Sequence, residues 1–149
     1  MTTFHFRLAS LLRLRQSICD QCRVELADAQ RADAELQSQL ARLDMEQRQL
    51  QGECRTAAGP GPVDLRRLLE ARRYAATLRA REAGLHQERQ TLGTEIDRRR
   101  QALLESDRDV RTLEKLRESQ SQAHRQAEDR LEGKRLDEAD LQTSGAWKW

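Results

Sequence analysis

Aromatic side chains are nearly missing from this sequence: Phe4, Phe6, Tyr74, Trp147 and Trp149 make up 3% of its 149 residues. β-Branched aliphatics are as scarce, with Ile18, Val24, Val63, Ile96 and Val110 set against 22 Leu and 24 Arg. A sheet lines its half-buried faces with those two classes, so their scarcity excludes a sheet-based fold. Proline is confined to Pro60 and Pro62, which leaves long stretches on either side with nothing to interrupt a helix. No run approaches the roughly 20 apolar residues that cross a bilayer, and Met1-Thr2-Thr3-Phe4-His5-Phe6-Arg7 has no apolar signal core. Three cysteines, an odd count, suit reduced thiols better than a disulfide framework, and the chain reads as cytosolic. Charge of one sign is lacking too. The 27 basic and 25 acidic residues leave a net +2, neither a nucleic-acid footprint nor the imbalance of a disordered chain.

What remains is 35% charged residues and leucine at regular steps. One break dominates, Gly59-Pro60-Gly61-Pro62, where helix must stop and restart. Asp64 follows at a good N-cap position. Before the break, heptads place Leu12, Cys19, Leu26, Asp33, Leu40 and Gln47 at a, and Leu8, Arg15, Cys22, Ala29, Leu36, Leu43 and Leu50 at d. Ten of these thirteen are apolar, and a period of 3.5 implies a left-handed supercoil. The second run continues the pattern from Leu68 and Ala71 through Leu78, Leu85, Ile96 and Val110, and turns polar between Arg117 and His124.

The expected fold is all-α: a long antiparallel two-helix coiled-coil hairpin forming one rod over residues 1–149, with the second helix overhanging. Helix one is expected at about 4–54, a linker at about 55–63, helix two at about 64–142 and a tail at 143–149. Pairing outward from the turn sets Leu8 opposite about Val110, Arg15 near 103 and Asp33 near 85. Everything past about 114 then overhangs, starting where the second seam turns polar.

Candidate chemistry is thin. Cys19-Asp20-Gln21-Cys22 is a CxxC, yet both thiols fall on seam positions, and Cys54 lies roughly 48 Å further along the same helix. They read as small core residues. His5, His86 and His124 are too far apart for a triad or metal cluster, and no Gly-rich phosphate loop occurs. The chain is therefore expected to be no enzyme and to carry no cofactor or metal. Arg98-Arg99-Arg100 and the six arginines of residues 66–82 read as solvated helix faces. Tyr74, off the seam with Leu78 and Leu85 close to its face, reads as an exposed partner anchor.

Three segments resemble the FliJ family of bacterial flagellar export proteins. They are Phe4-x-Phe6-Arg7-Leu8-x-x-Leu11-Leu12-x-Leu14-Arg15, the run from Arg98 to Glu118, and Lys134-Arg135-Leu136-Asp137-Glu138-Ala139. The resemblance spans nearly the whole chain. It implies a stalk similar to that of rotary ATPases, one that inserts into the ring of the export ATPase FliI, promotes its assembly and couples it to the export gate protein FlhA. Export chaperones are further partners it implies. Contact with the cell membrane would come only through those partners, at its cytoplasmic face, and nucleic acid is not a partner. By the same likeness Tyr74, Leu78 and Leu85 match the gate-binding patch, with Arg81 where the family has a small residue. Phe4, Phe6, Leu116, Leu131 and Leu136 would meet the ATPase ring. The stalk of a virulence type III secretion system and a generic homodimeric coiled-coil scaffold are the alternatives.

Overall fold

The structure, a computed structural model, describes residues 2–145. It consists of two helices, α1 (Ala9–Ala57) and α2 (Leu65–Gly145), with no strand among the described residues. The helix–helix packing makes an all-α hairpin, as the scarcity of β-branched and aromatic side chains requires. Trp147, Trp149 and the end of the expected tail lie outside the described residues; the part at 143–145 is the last turn of α2.

The turn is built from the residues that cannot be helical. The α1 ladder ends with Ala58 donating to the Cys54 carbonyl at 3.0 Å and Gly59 to the Thr56 carbonyl at 3.2 Å. Gly61 then adopts φ 143°, a region that costs a side chain dearly and glycine nothing. The flanking prolines supply no N–H that would need a partner. Asp64 restarts the helix, its carboxylate accepting the Arg67 amide at 3.3 Å as an N-cap.

The hairpin divides into two compact units, one of residues up to Gln21 and from Leu104 onward, the other Cys22–Leu103. In the turn-side unit, Leu43, Leu78 and Leu85 form the core cluster, with Leu36, Leu40 and Leu50 packed on it. Leu78 is 1% exposed, and Ala29 and Ile96 are buried as well. The helices run antiparallel here, since Glu25, Asp33 and Glu46 of α1 meet Arg99, Arg89 and Tyr74 of α2 in reverse order. Arg89 Nε donates to Asp33 at 2.9 Å, Gln47 donates to Glu82 at 2.9 Å, and Arg99 reaches the Glu25 carbonyl at 2.6 Å. Each of these polar seam residues thus has a cross-helix partner.

In the terminal unit, Phe6, Leu12, Cys19 and Val110 are buried, and Arg15 donates to Asp109 at 3.3 Å. Residues before Ala9 are not helical, contrary to the expected start near residue 4. Thr, Phe and His are weak helix formers, and the segment runs along α2 instead. Thr2 donates to Glu128 from its amide at 2.9 Å and from its hydroxyl at 2.7 Å, and the Phe4 ring lies 5.7 Å from that of His124. An extended residue covers about 3.3 Å against 1.5 Å in a helix, so a few residues reach far along α2.

Two expectations are corrected. The pairing register differs by roughly a helical turn: Arg15 meets Asp109 rather than 103, and Asp33 meets Arg89 rather than 85. The reason is that α1 continues to Ala57 and α2 starts at Leu65, which moves the whole pairing outward. The overhang is also shorter than expected, because the extended segment covers α2 as far as Glu128.

Leu78→Ala should cost about 2–5 kcal/mol, the range for emptying a closed leucine site, read as a lower thermal midpoint by circular dichroism. For Asp33 and Arg89, whose side chains are 26% and 38% exposed, a double-mutant cycle to alanine should return a favourable coupling of about 0.5–1 kcal/mol. Zero coupling would remove that pair from the register argument.

Candidate functional site

The outward surface of the turn-side unit is set by where α2 carries its seam. Leu68, Ala71, Ala75, Leu78 and Leu85 face α1, so residues between them stand outside. Tyr74 is one, 44% exposed, with its hydroxyl donating to the Glu46 carboxylate of α1. That hydrogen bond raises the phenol above its usual range, because ionising it would set two negative charges together. The ring is thereby held in place while its face stays open, an arrangement suited to anchoring a partner with little ordering cost.

Leu78 and Leu85 do not join Tyr74 on that surface. They are core residues beneath it, so the expectation that they touch a partner is corrected: the heptad d positions they occupy are closed by Leu43. They support the helix on which Tyr74 stands.

In the terminal unit, Phe6 is 6% exposed and Phe4 packs on His124. Both hold the extended segment on α2; Phe6 is closed off by its burial, so its expected contact with a ring is corrected, while Phe4 stays half-buried. Leu116, Leu131 and Leu136 are exposed. Leu131 and Leu136 are five residues apart, roughly 140° around the helix, and no single face presents both. Leu141 is exposed as well. α2 is helical through all of these positions to Gly145.

Electrostatics mark two places. Glu95 is held at about 2, well below its usual 4.5, first by the hydrogen bond from Arg98 and then by that from Arg99; the distances to Oε1 are 2.7 Å and 2.9 Å. Glu128 is lowered by the two Thr2 hydrogen bonds first, with a smaller contribution from His124. Cys19 is buried, Cys22 and Cys54 are half-buried, and all three are free thiols. Among the described residues no three metal-ligating side chains converge, and no helix is long and apolar enough to cross a membrane.

Some features were not anticipated from sequence. The cross-helix partners of Arg15, Asp33 and Arg99 depend on a register that only the turn geometry sets. Beside the turn a groove is lined by Leu65, Leu68 and Leu69 between Arg55 and Arg72. Its signal, leucines stepping three and four apart among arginines, was present at residues 65–73.

A carboxyl whose pKa is lower in the folded chain stabilises fully above its unfolded pKa and loses that contribution as pH falls through the folded one. Melting midpoints followed by circular dichroism should therefore drop as pH is taken from about 5 to about 2, and Glu95→Gln should flatten the drop. Glu128→Gln should flatten it too, in the same direction.

Among known families, the one described as flagellar FliJ protein has a model that matches residues 4–145. No curated protein and no solved structure matches the chain.

Proposed function

The chain belongs to the flagellar FliJ family, matched over residues 4–145 and so a component of flagellar protein export, and from that premise we propose that it is a non-enzymatic stalk joining the export ATPase to the export gate. In this reading Tyr74 contacts the gate protein FlhA, while exposed leucines of the terminal unit, Leu116, Leu131 and Leu136, contact the ring of the ATPase FliI. The single observation that carries the gate assignment is the half-exposed Tyr74 ring, fixed by Glu46 above a closed leucine core. A tethered aromatic on an otherwise charged helix is the residue type that dominates interface energies.

The mechanism is one of mechanical coupling rather than chemistry. The proposed stalk would take up ring contacts through side chains that are already helical and solvent-facing, so little folding entropy is spent on docking. Leu78 and Leu85 contribute by keeping the helix surface rigid, and Phe4 and Phe6 by clamping the N-terminal segment onto α2. Escort of export chaperones and a position at the cytoplasmic face of the cell membrane accompany this reading. The match to a flagellar family favours it over a virulence secretion stalk.

Two separate measurements test it. Tyr74→Ala should lower capture by immobilised FlhA by about tenfold or more while the chain stays helical with a melting midpoint only slightly lowered by the lost hydrogen bond to Glu46; undiminished capture would sink the gate assignment. Leu131→Glu combined with Leu136→Glu should abolish stimulation of FliI ATPase activity while leaving FlhA capture intact, and stimulation at the original level would remove those leucines from the ring contact.

A further inference from the structure

The first turns of α2 carry a second apolar face besides the seam. Leu65, Leu69, Ala76 and Ala80 fall within roughly 60° of one another on a helical projection, their centre roughly 130° from that of the seam residues Leu68, Ala71, Ala75 and Leu78. All four are exposed, Leu65 by 68% and Leu69 by 50%, and Val63 in the turn is exposed beside them. Arginines border this stripe on both sides. Arg72 and Arg79 follow one edge and Arg66 and Arg73 the other, and Arg55 of α1 closes the groove that Leu65, Leu68 and Leu69 line.

Charge is concentrated at the same place. Residues 51–81 hold seven arginines against Glu53, Asp64 and Glu70, a net +4 in a chain whose total is only +2. The remainder is therefore net negative, and of the seven arginines four, Arg66, Arg72, Arg73 and Arg79, border the stripe. The acids do little to neutralise it. Asp64 is engaged as the α2 N-cap, and the Arg66–Glu70 contact, 3.4 Å with side chains 90% and 65% exposed, is of the kind that contributes little. Arg67, Arg72, Arg73 and Arg79 form no ion pair among the described residues.

We propose that this turn-proximal face of α2 binds an anionic phospholipid surface directly. The apolar stripe would sink to the level of the acyl boundary, and the arginines on both flanks would reach the phosphodiesters, the arrangement that holds amphipathic helices in a membrane interface. Guanidinium groups suit this because they are weakly hydrated and bind phosphate through paired donors. A membrane is favoured over an acidic protein helix because the arginines flank the stripe on both sides and the leucines and Val63 continue outward around the turn, matching a broad plane rather than a narrow rod. The inference goes beyond the gate reading and does not rest on it. Tyr74 lies on a different side of α2, roughly 150° from the stripe, and lipid vesicles contain no gate protein.

Sedimentation of the full chain with vesicles separates the outcomes. Vesicles of phosphatidylcholine with phosphatidylglycerol should carry the protein down at about 0.1 M salt and release it at about 0.5 M, while pure phosphatidylcholine vesicles should not carry it. Arg72→Gln with Arg73→Gln should weaken binding by roughly 10- to 30-fold, and Leu65→Gln with Leu69→Gln by about tenfold or more. These positions are exposed, so circular dichroism should show both variants fully helical, and Leu14→Gln, an exposed leucine of the other unit, should bind as before. Equal binding to neutral and anionic vesicles overturns the proposal, as does indifference to the leucine pair. So does an absence of vesicle binding with retained binding to a synthetic Glu/Leu amphipathic peptide, an outcome that would assign the face to a protein partner.

Discussion

Two helices alone can bury only one stripe each, and a stripe of Leu, Ala and Cys has little to say about register. Sliding such a seam by a heptad exchanges one leucine for another at small cost, so something less interchangeable must fix the pairing. In the turn-side unit Arg89 on Asp33, Gln47 on Glu82 and Arg99 on the Glu25 carbonyl fill that role. In the terminal unit Arg15 on Asp109 does the same. A one-heptad slip would separate every one of these pairs; each contributes only modestly, but together they favour one register over others that an interchangeable leucine seam leaves nearly equal in energy. The position of Tyr74 beside Glu46, and with it the proposed gate surface, follows from that register.

The same thinness of core shapes the surface. A helix in a globular domain is covered on several sides, whereas α2 in its first turns has only α1 beside its seam, and its outward residues are free to be selected for other contacts. That is how one short segment can carry Tyr74 on one side and the Leu65–Leu69 stripe with its arginines on another. The whole-chain net charge of +2 is an average over unlike parts and describes none of them.

The helical content, the break and the N-cap at Asp64 were all legible in the sequence, because each rests on a local rule: leucine periodicity, two prolines, a carboxylate before a helix. Register was not. It depends on where α1 ends, and the helix continued through Arg55-Thr56-Ala57, where Arg and Ala favour helix and Thr disfavours it, so no residue before Gly59 marked the stop. The seam assignment of Leu78 and Leu85 was readable from heptads, and it conflicted with their place in a binding patch; the structure resolves that conflict in favour of the core. Phe4 and Phe6 misled in a different way. Scarce aromatics near a helix start resemble a partner-binding tip, but Phe6 is buried and Phe4 lies against His124, contacts that no local rule in the sequence foretells.

The extended N-terminal segment also sets the order in which the chain can assemble. Thr2 and Glu128 are 126 residues apart, whereas Tyr74 and Glu46 are separated by 28. Loop-closure entropy grows with that separation, and contacts near the turn close the short loops first. On a ribosome the segment holding Phe4 and Phe6 emerges early and must wait, its apolar rings exposed, until residues 124–128 have been made. The strap that completes the terminal unit is thus among the last parts to form, and by the same arithmetic one of the first to open.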